Sequence, residues 1–220
     1  MMTKSFSEQL GIDIPFTYNP PIFRLTTEEQ KPHFPQPYLV LNSGRKASDG
    51  DCKFWGTPNW QVVVDGLKDK FTIIQVGTSH DIHPKLDGTI NHIGKTNVRQ
   101  LLSLISHPDC LGVLSGITFV YWLAVAQGKR TYTICNAREH PDFLRVSELS
   151  RFYFAEKGTY DCPLNSCFKI RTFKHNDRDW RDKQLCLAPK KIGLEILPAC
   201  ALAIHPQRII EAVLNDLEHR

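Results

Sequence analysis

The apolar residues of this chain fall into short runs, and the runs alternate between two spacings. Tyr38-Leu39-Val40-Leu41 is a continuous apolar stretch that ends in Asn42-Ser43-Gly44, as a buried strand feeding a turn does. Residues 71–76 and 89–93 repeat it, closed by Gly77 and Gly94, and both read as strands buried on two faces; residues 111–114 and 131–135 supply a fourth and a fifth. Between them the spacing becomes helical. Thr57-Pro58 is a helix start, threonine as N-cap and proline in first position, with Trp60, Val63, Val64 and Leu67 following at helical intervals. Val98, Leu101, Leu102 and Ile105 mark a second helix, and residues 119–126, closed by Gly128, a third.

Short alternation of continuously apolar strands with helices predicts right-handed βαβ units. The fold class expected is α/β, a Rossmann-like parallel sheet with helices on both faces, and ligands of such sheets sit at the carboxyl ends of the strands. Pro15, Pro20, Pro21, Pro32, Pro35 and Pro37 punctuate the start, so residues 1–36 are expected to be an extended lead-in and residues 37–160 the Rossmann-like domain. After Asn136 the regularity fades into a polar, cysteine-bearing region, with a cysteine knuckle at 161–200. Pro206 then opens an amphipathic helix with Ile209, Ile210, Val213, Leu214 and Leu217 on one side, so that 201–220 are expected to pack on the domain.

Composition narrows the class without deciding it. Hydrophobic residues make up 41% and charged residues 23% of 220, with a formal charge of +4, as in an ordinary soluble protein. Lysines and arginines are scattered apart from pairs such as Arg45-Lys46 and Lys190-Lys191, and no basic stripe interleaved with aromatics points to nucleic acid. No stretch has the roughly eighteen apolar residues of a membrane span, and the start lacks a signal-peptide pattern, so a cytoplasmic location is expected.

Three loops on the predicted ligand edge carry candidate chemistry. Asn42-Ser43-Gly44-Arg45-Lys46-Ala47-Ser48, with Lys53-Phe54-Trp55 beyond it, offers amides, small residues and cations to a phosphate, or is a solvated surface loop. Gly77-Thr78-Ser79-His80-Asp81 offers a carboxylate to ribose hydroxyls, or a helix cap at Ser79 or Asp81. Leu114-Ser115-Gly116-Ile117-Thr118 precedes a helix, whose N-terminal amides attract anions.

Lys53-x-Trp55, Gly77-x-x-His80-Asp81, Gly94-Lys95-Thr96 before a helix, and Ser115-Gly116 before Ala124-x-Ala126-x-Gly128 occur in the order found in the C-terminal, donor-binding half of glycosyltransferase family nine. The chain resembles that family over residues 37–220; it contains the ADP-heptose heptosyltransferases, including those that modify autotransporter proteins. The resemblance implies half of a GT-B enzyme that binds a nucleotide-diphosphate sugar such as ADP-heptose. Lys53 would meet the donor's phosphates or sugar, Asp81 its ribose and the Ser115-Gly116 turn its diphosphate, with Ser43, Gly44, Arg45, Gly77 and Ile117 also among the donor-binding residues. The family usually has Asp-Ser/Thr-Gly-x-x-His where this chain has Leu114-Ser115-Gly116-Ile117-Thr118-Phe119, so the acid and the histidine are replaced. Residues 6–21 resemble the end of a first domain plus linker, so the acceptor-binding domain and its carboxylate are expected to be absent here, as in one chain of a split enzyme; an N-terminal-domain partner chain or a homo-oligomer is the partner expected.

Of seven cysteines, Cys52, Cys110 and Cys135 stand alone and are expected to be thiols. Cys162, Cys167, Cys186 and Cys200 are spaced C-x4-C, x18 and C-x13-C, so four thiolates enclosing one structural zinc or iron are expected, against four plain thiols. The resemblance adds weight, since autotransporter heptosyltransferases carry a cysteine-ligated iron finger in a similar place. His175 is a substitute ligand or a surface histidine; His80, His83 and His92 do not group as a triad. Two further functions compete with a transferase: a non-catalytic module that binds nucleotide sugar or docks a partner, and an unrelated nucleotide binder with a zinc knuckle. The absence of GxGxxG after the first strand speaks against a dinucleotide cofactor.

Overall fold

A computed structural model of the chain describes residues 9–12, 21, 23–31, 34, 36–46, 53–136, 146–156, 158–163 and 186–217. One parallel sheet holds β1 (Tyr38–Asn42), β2 (Thr72–Gly77), β3 (Ile90–Ile93), β4 (Cys110–Gly116), β5 (Thr131–Asn136) and β6 (Ser150–Phe154), in the spatial order β3-β2-β1-β4-β5-β6. Helices α1 (Thr57–Leu67), α2 (Val98–Ser106), α3 (Phe119–Ala126), α4 (Ala199–Leu202) and α5 (Pro206–Leu217) surround it. This is the Rossmann-like sheet, helices on both faces, that the alternating pattern predicts.

The period of two along each strand sorts its side chains between two cores. Leu39, Leu41, Ile73, Leu114 and Ile134 face α1 and α5, meeting Trp60, Val63, Val64, Ile209, Ile210 and Val213. Tyr38, Val40, Ile74, Val76 and Val113 face α2 and α3, meeting Leu101, Leu102, Ile105, Val120, Leu123 and Ala124. The expectation that the third strand is buried on both faces is corrected: Ile90 and Asn91 are exposed and His92 and Ile93 half-buried. β3 is the outermost strand, and β2 reaches it through a loop over 78–89 with no helix to cover it. That loop also removes the helix that Ser79 or Asp81 was expected to cap.

Two other features escape the pattern. β6 continues the parallel sheet after the regularity was expected to fade, and an antiparallel hairpin, β7 (Pro189–Ile192) with β8 (Glu195–Pro198), lies inside the predicted knuckle region. In the lead-in, a 3-10 turn at Glu28–Gln30 docks on α2: Arg99 donates two 2.7 Å hydrogen bonds to the Glu29 carboxylate, and the Ser103 hydroxyl donates to the Glu29 carbonyl. The Arg99 guanidinium holds the Glu29 carboxyl down to about 2. Among the described residues no helix is long and apolar enough to cross a membrane.

α5 is fastened at one carboxylate. Asp216 accepts from the Arg151 Nε at 2.6 Å and from its second guanidinium nitrogen, from Arg130 at 3.1 Å and from the Tyr132 hydroxyl at 3.2 Å. Hydrogen bonding to Arg151, then the charges of Arg130 and Arg151, hold its carboxyl below the ordinary carboxylate range. Asp216→Asn is expected to cost on the order of 2 kcal/mol, between exposed and fully buried ion pairs, read as a lower denaturation midpoint. A depressed folded-state pKa contributes stability above the unfolded value of about 3.9 and loses it as pH falls through the folded value, so D216N should also flatten the acid limb of stability against pH.

Candidate functional site

The sheet reverses direction of growth at β1: β2 and β3 lie on one side of it, β4 to β6 on the other. Loops leaving β1 and β4 therefore run apart, over opposite faces, and a crevice opens at the strands' carboxyl ends. A cleft of about 520 Å³ occupies this place, within the range of small-molecule sites.

Its polar wall is built from the β1 and β2 loops. The Asn42 amide donates to the Val76 carbonyl at 2.9 Å, and Gln75 Nε2 donates to both the Ser43 hydroxyl and the Pro84 carbonyl at 2.8 Å, tying the two strand ends together. Two residues beyond Ser43, Arg45 and Ile82 exchange backbone hydrogen bonds of 3.0 and 2.9 Å. The Arg45 guanidinium sits 5.5 Å from the centre of the Phe54 ring. Trp55 is buried, donates from its indole to the Ile204 carbonyl at 3.1 Å, and meets Trp60 edge-on at 4.9 Å. Arg45, Lys46 and Lys53 line the cleft with a single carboxylate among the described residues, that of Asp81. The electrostatic balance there favours an anion.

Gly44 and Gly77 are small for a reason internal to the protein. A Cβ at either would lie 2.0 to 2.2 Å from the His83 ring, which fills the notch between the ends of β1 and β2 and sits with Nε2 3.0 Å from the Thr78 carbonyl. Sequence reasoning assigned His83 nothing; two glycines ending neighbouring strands are the signal that a ring fits between them.

Each main βα helix starts at this edge, and the starts differ in what satisfies them. At α1 the N-cap is Gly56, not the expected Thr57; Thr57 lies in the first turn, and the Glu195 carboxylate, from β8, accepts from its amide at 2.9 Å and from its hydroxyl. At α2 Asn97 and Gln100 form a reciprocal capping box, each bond 2.9 Å. At α3 the N-cap is Thr118, whose side chain makes no capping bond and whose buried Oγ1 has no hydrogen-bond partner among the described residues. Of these three, α3 alone has no side-chain cap on its first turn, and Gly116, Ile117, Thr118, Phe119 and Val120 line the cleft.

Ser43, Gly44, Arg45, Lys53, Gly77, Asp81, Gly116 and Ile117 all line this cleft. Ser115 does not: it is fully buried within β4, opposite Asn42, and its hydroxyl has no partner among the described residues. The sequence reading missed the apolar wall, Val98 and Leu101 of α2 and Phe119 and Trp122 of α3. A helix apolar all round, as Phe119–Ala126 is, reads as wholly buried; yet Phe119 is 55% and Trp122 39% exposed.

Cys162, Cys186 and Cys200 are half-buried, and among the described residues no three Cys, His, Asp or Glu are placed to hold a metal ion. Cys167, Cys52, His175, Ala47 and Ser48 lie outside the described residues. Cys110 and Cys135 are buried, and burial raises the Cys110 thiol to about 11.

No protein-family model and no curated protein matches the chain. Solved structures do. ADP-heptose LPS heptosyltransferase II of E. coli superposes with a TM-score of 0.62 at 15% identity, over 94% of this chain and 56% of that one. The family 9 glycosyl transferase of Veillonella parvula gives 0.53 at 11%, over 100% and 51%. The iron-containing dodecameric glycosyltransferase TibC of enterotoxigenic E. coli gives 0.54 at 16%, over 96% and 51%. The fold is that of the family-nine heptosyltransferases. The chain spans about half the length of these heptosyltransferase-fold structures.

In this heptosyltransferase-like fold the hairpin secures the polar wall, because Glu195 caps the helix that follows Lys53-Phe54-Trp55. Glu195→Ala should cost about 1 kcal/mol, as loss of a helix cap does, with E195Q costing less; equilibrium denaturation of the three proteins measures it.

Proposed function

We propose that this chain binds the diphosphate of a nucleotide sugar such as ADP-heptose in the cleft and serves as the donor half of a heptosyltransferase-like glycosyltransferase. The observation that carries the proposal is the uncapped start of α3, facing Arg45, Lys46 and Lys53 across one crevice. Amides at a helix start together with cations suit a diphosphate. Asp81, at the end of β2, takes the ribose hydroxyls. The TibC structure solved as a complex with ADP-D-β-D-heptose shares the fold, with a TM-score of 0.55 at 17% identity over 87% of this chain and 48% of that one.

In the transfer, an acceptor oxygen bonds to the anomeric carbon while the bond from that carbon to the diphosphate breaks, its electron pair leaving with the phosphate. The α3 amides and Lys53 stabilise the charge that develops there. The acceptor's proton needs a base. Among the described residues lining the cleft there is no histidine, and with Asp81 taking the ribose in this reading, the base lies outside those residues. A second function, binding without turnover, is favoured by Leu114 and Phe119, apolar where the family carries its acid and histidine.

ADP or ADP-heptose should raise the melting temperature of the protein by linkage, and Lys53→Ala should abolish the shift; no shift with either ligand removes both functions. Transfer or donor hydrolysis by the isolated chain supports the enzyme, and stoichiometric binding without turnover the module. The four-cysteine zinc or iron site rests on the spacing of Cys162, Cys167, Cys186 and Cys200 and on the family resemblance. Elemental analysis tests it: one equivalent of metal, lost in Cys167→Ser, supports the site, and metal-free protein removes it.

A further inference from the structure

Phe119 and Trp122 are large, apolar and exposed, at 55% and 39%, on a helix whose other side chains Val120, Tyr121, Leu123, Ala124 and Val125 are buried. Spacing of three residues places them on one side of the first turn of α3, and both line the cleft with Ile117 and Ile134. Trp122 is steadied from behind. The buried Tyr121 ring meets it at 4.8 Å and 67°, and Tyr121 in turn packs on Phe152 at 5.9 Å. Two exposed aromatic faces against a rigid backing form a platform for a ring.

Which ring follows from the order of the strands. Asp81 follows β2 and the anion turn follows β4, with β1 between them, while β5 lies beyond β4. A nucleotide sugar with its ribose at Asp81 and its diphosphate at residues 116–120 has two parts left to place, its nucleobase and its sugar. The part beyond the diphosphate extends past β4, toward Phe119, Trp122 and, at the end of β5, Ile134. The nucleobase is joined to the ribose and stays on the β2 side, so the part that reaches the aromatic pair is the sugar being transferred.

We infer that Trp122 and Phe119 are specificity-determining residues that bind the donor's pyranose by stacking against its C–H face. No histidine or carboxylate among the described lining residues stands beside them to read hydroxyls individually. Selection at this subsite is for a sugar with an unobstructed apolar face. The inference rests on the donor-binding proposal above and adds to it which end of the ligand each wall receives.

Titration calorimetry with ADP and with ADP-heptose, on wild type, Trp122→Ala, Trp122→Phe and Phe119→Ala, tests it. Trp122→Ala should weaken ADP-heptose roughly tenfold and leave ADP within about twofold. W122F should recover much of the loss, and F119A should act in the same direction. Unchanged ADP affinity doubles as the control for folding. Equal weakening of both ligands would place the base on the aromatics and overturn the inference while sparing the donor proposal; so would no change in either. If wild type binds neither ligand, the donor proposal fails and this inference with it.

Discussion

Everything at the ligand edge depends on where the parallel sheet changes direction. A parallel pair cannot be joined by a tight turn, so each connection crosses a face of the sheet, and the face depends on which way the next strand is laid down. Here β1 to β3 grow one way with α1 on one face, then the chain returns past β1 through α2, on the other face, to lay down β4 to β6. The crevice is the space that this change of course leaves. The lining residues do not create the cavity; they line one that topology provides.

The lining is unequal in character because its two sides come from different kinds of segment. The described residues just after β1 and β2 are cross-linked by Gln75, by the Arg45–Ile82 pairing and by the His83 ring set against two glycines, and they form a cationic wall. The opposite wall consists of helix starts, where the side chains are apolar and the backbone supplies the polarity. A ligand with anionic, hydroxylated and apolar-faced parts is matched in sequence along such a crevice.

Much of this was legible in the amino-acid order. The central strands β1, β2, β4 and β5 are mainly apolar, with buried polar exceptions such as Gln75, Thr131 and Thr133, because both faces are covered, and that pattern needs no tertiary knowledge. Legibility failed where a tertiary partner decides the outcome. β6 contains Arg151, which reads as surface until Asp216 is brought to it from 65 residues away. Thr57 reads as a cap, but the cap function passes to Glu195, 138 residues distant. Ser115 was nominated with its neighbours, although alternation along a strand turns it into the sheet and leaves Gly116 and Ile117 at the edge. Phe119 and Trp122 were hidden for the opposite reason: an apolar helix gives no hint of which side lacks a neighbour.

The fastening of α5 bears on how the chain is made. Residues 206–217 cover one face over β4 to β6, through Ile209, Ile210 and Val213 as well as Asp216. Of the described elements this helix is the last to be translated, so the strands it covers emerge from the ribosome with that face bare. Until it follows, Tyr132, Ile134 and Tyr153 present an apolar surface with no cover of its own. Nascent chains halted before about residue 206 are thus the form of this protein most exposed to aggregation and most in need of chaperones.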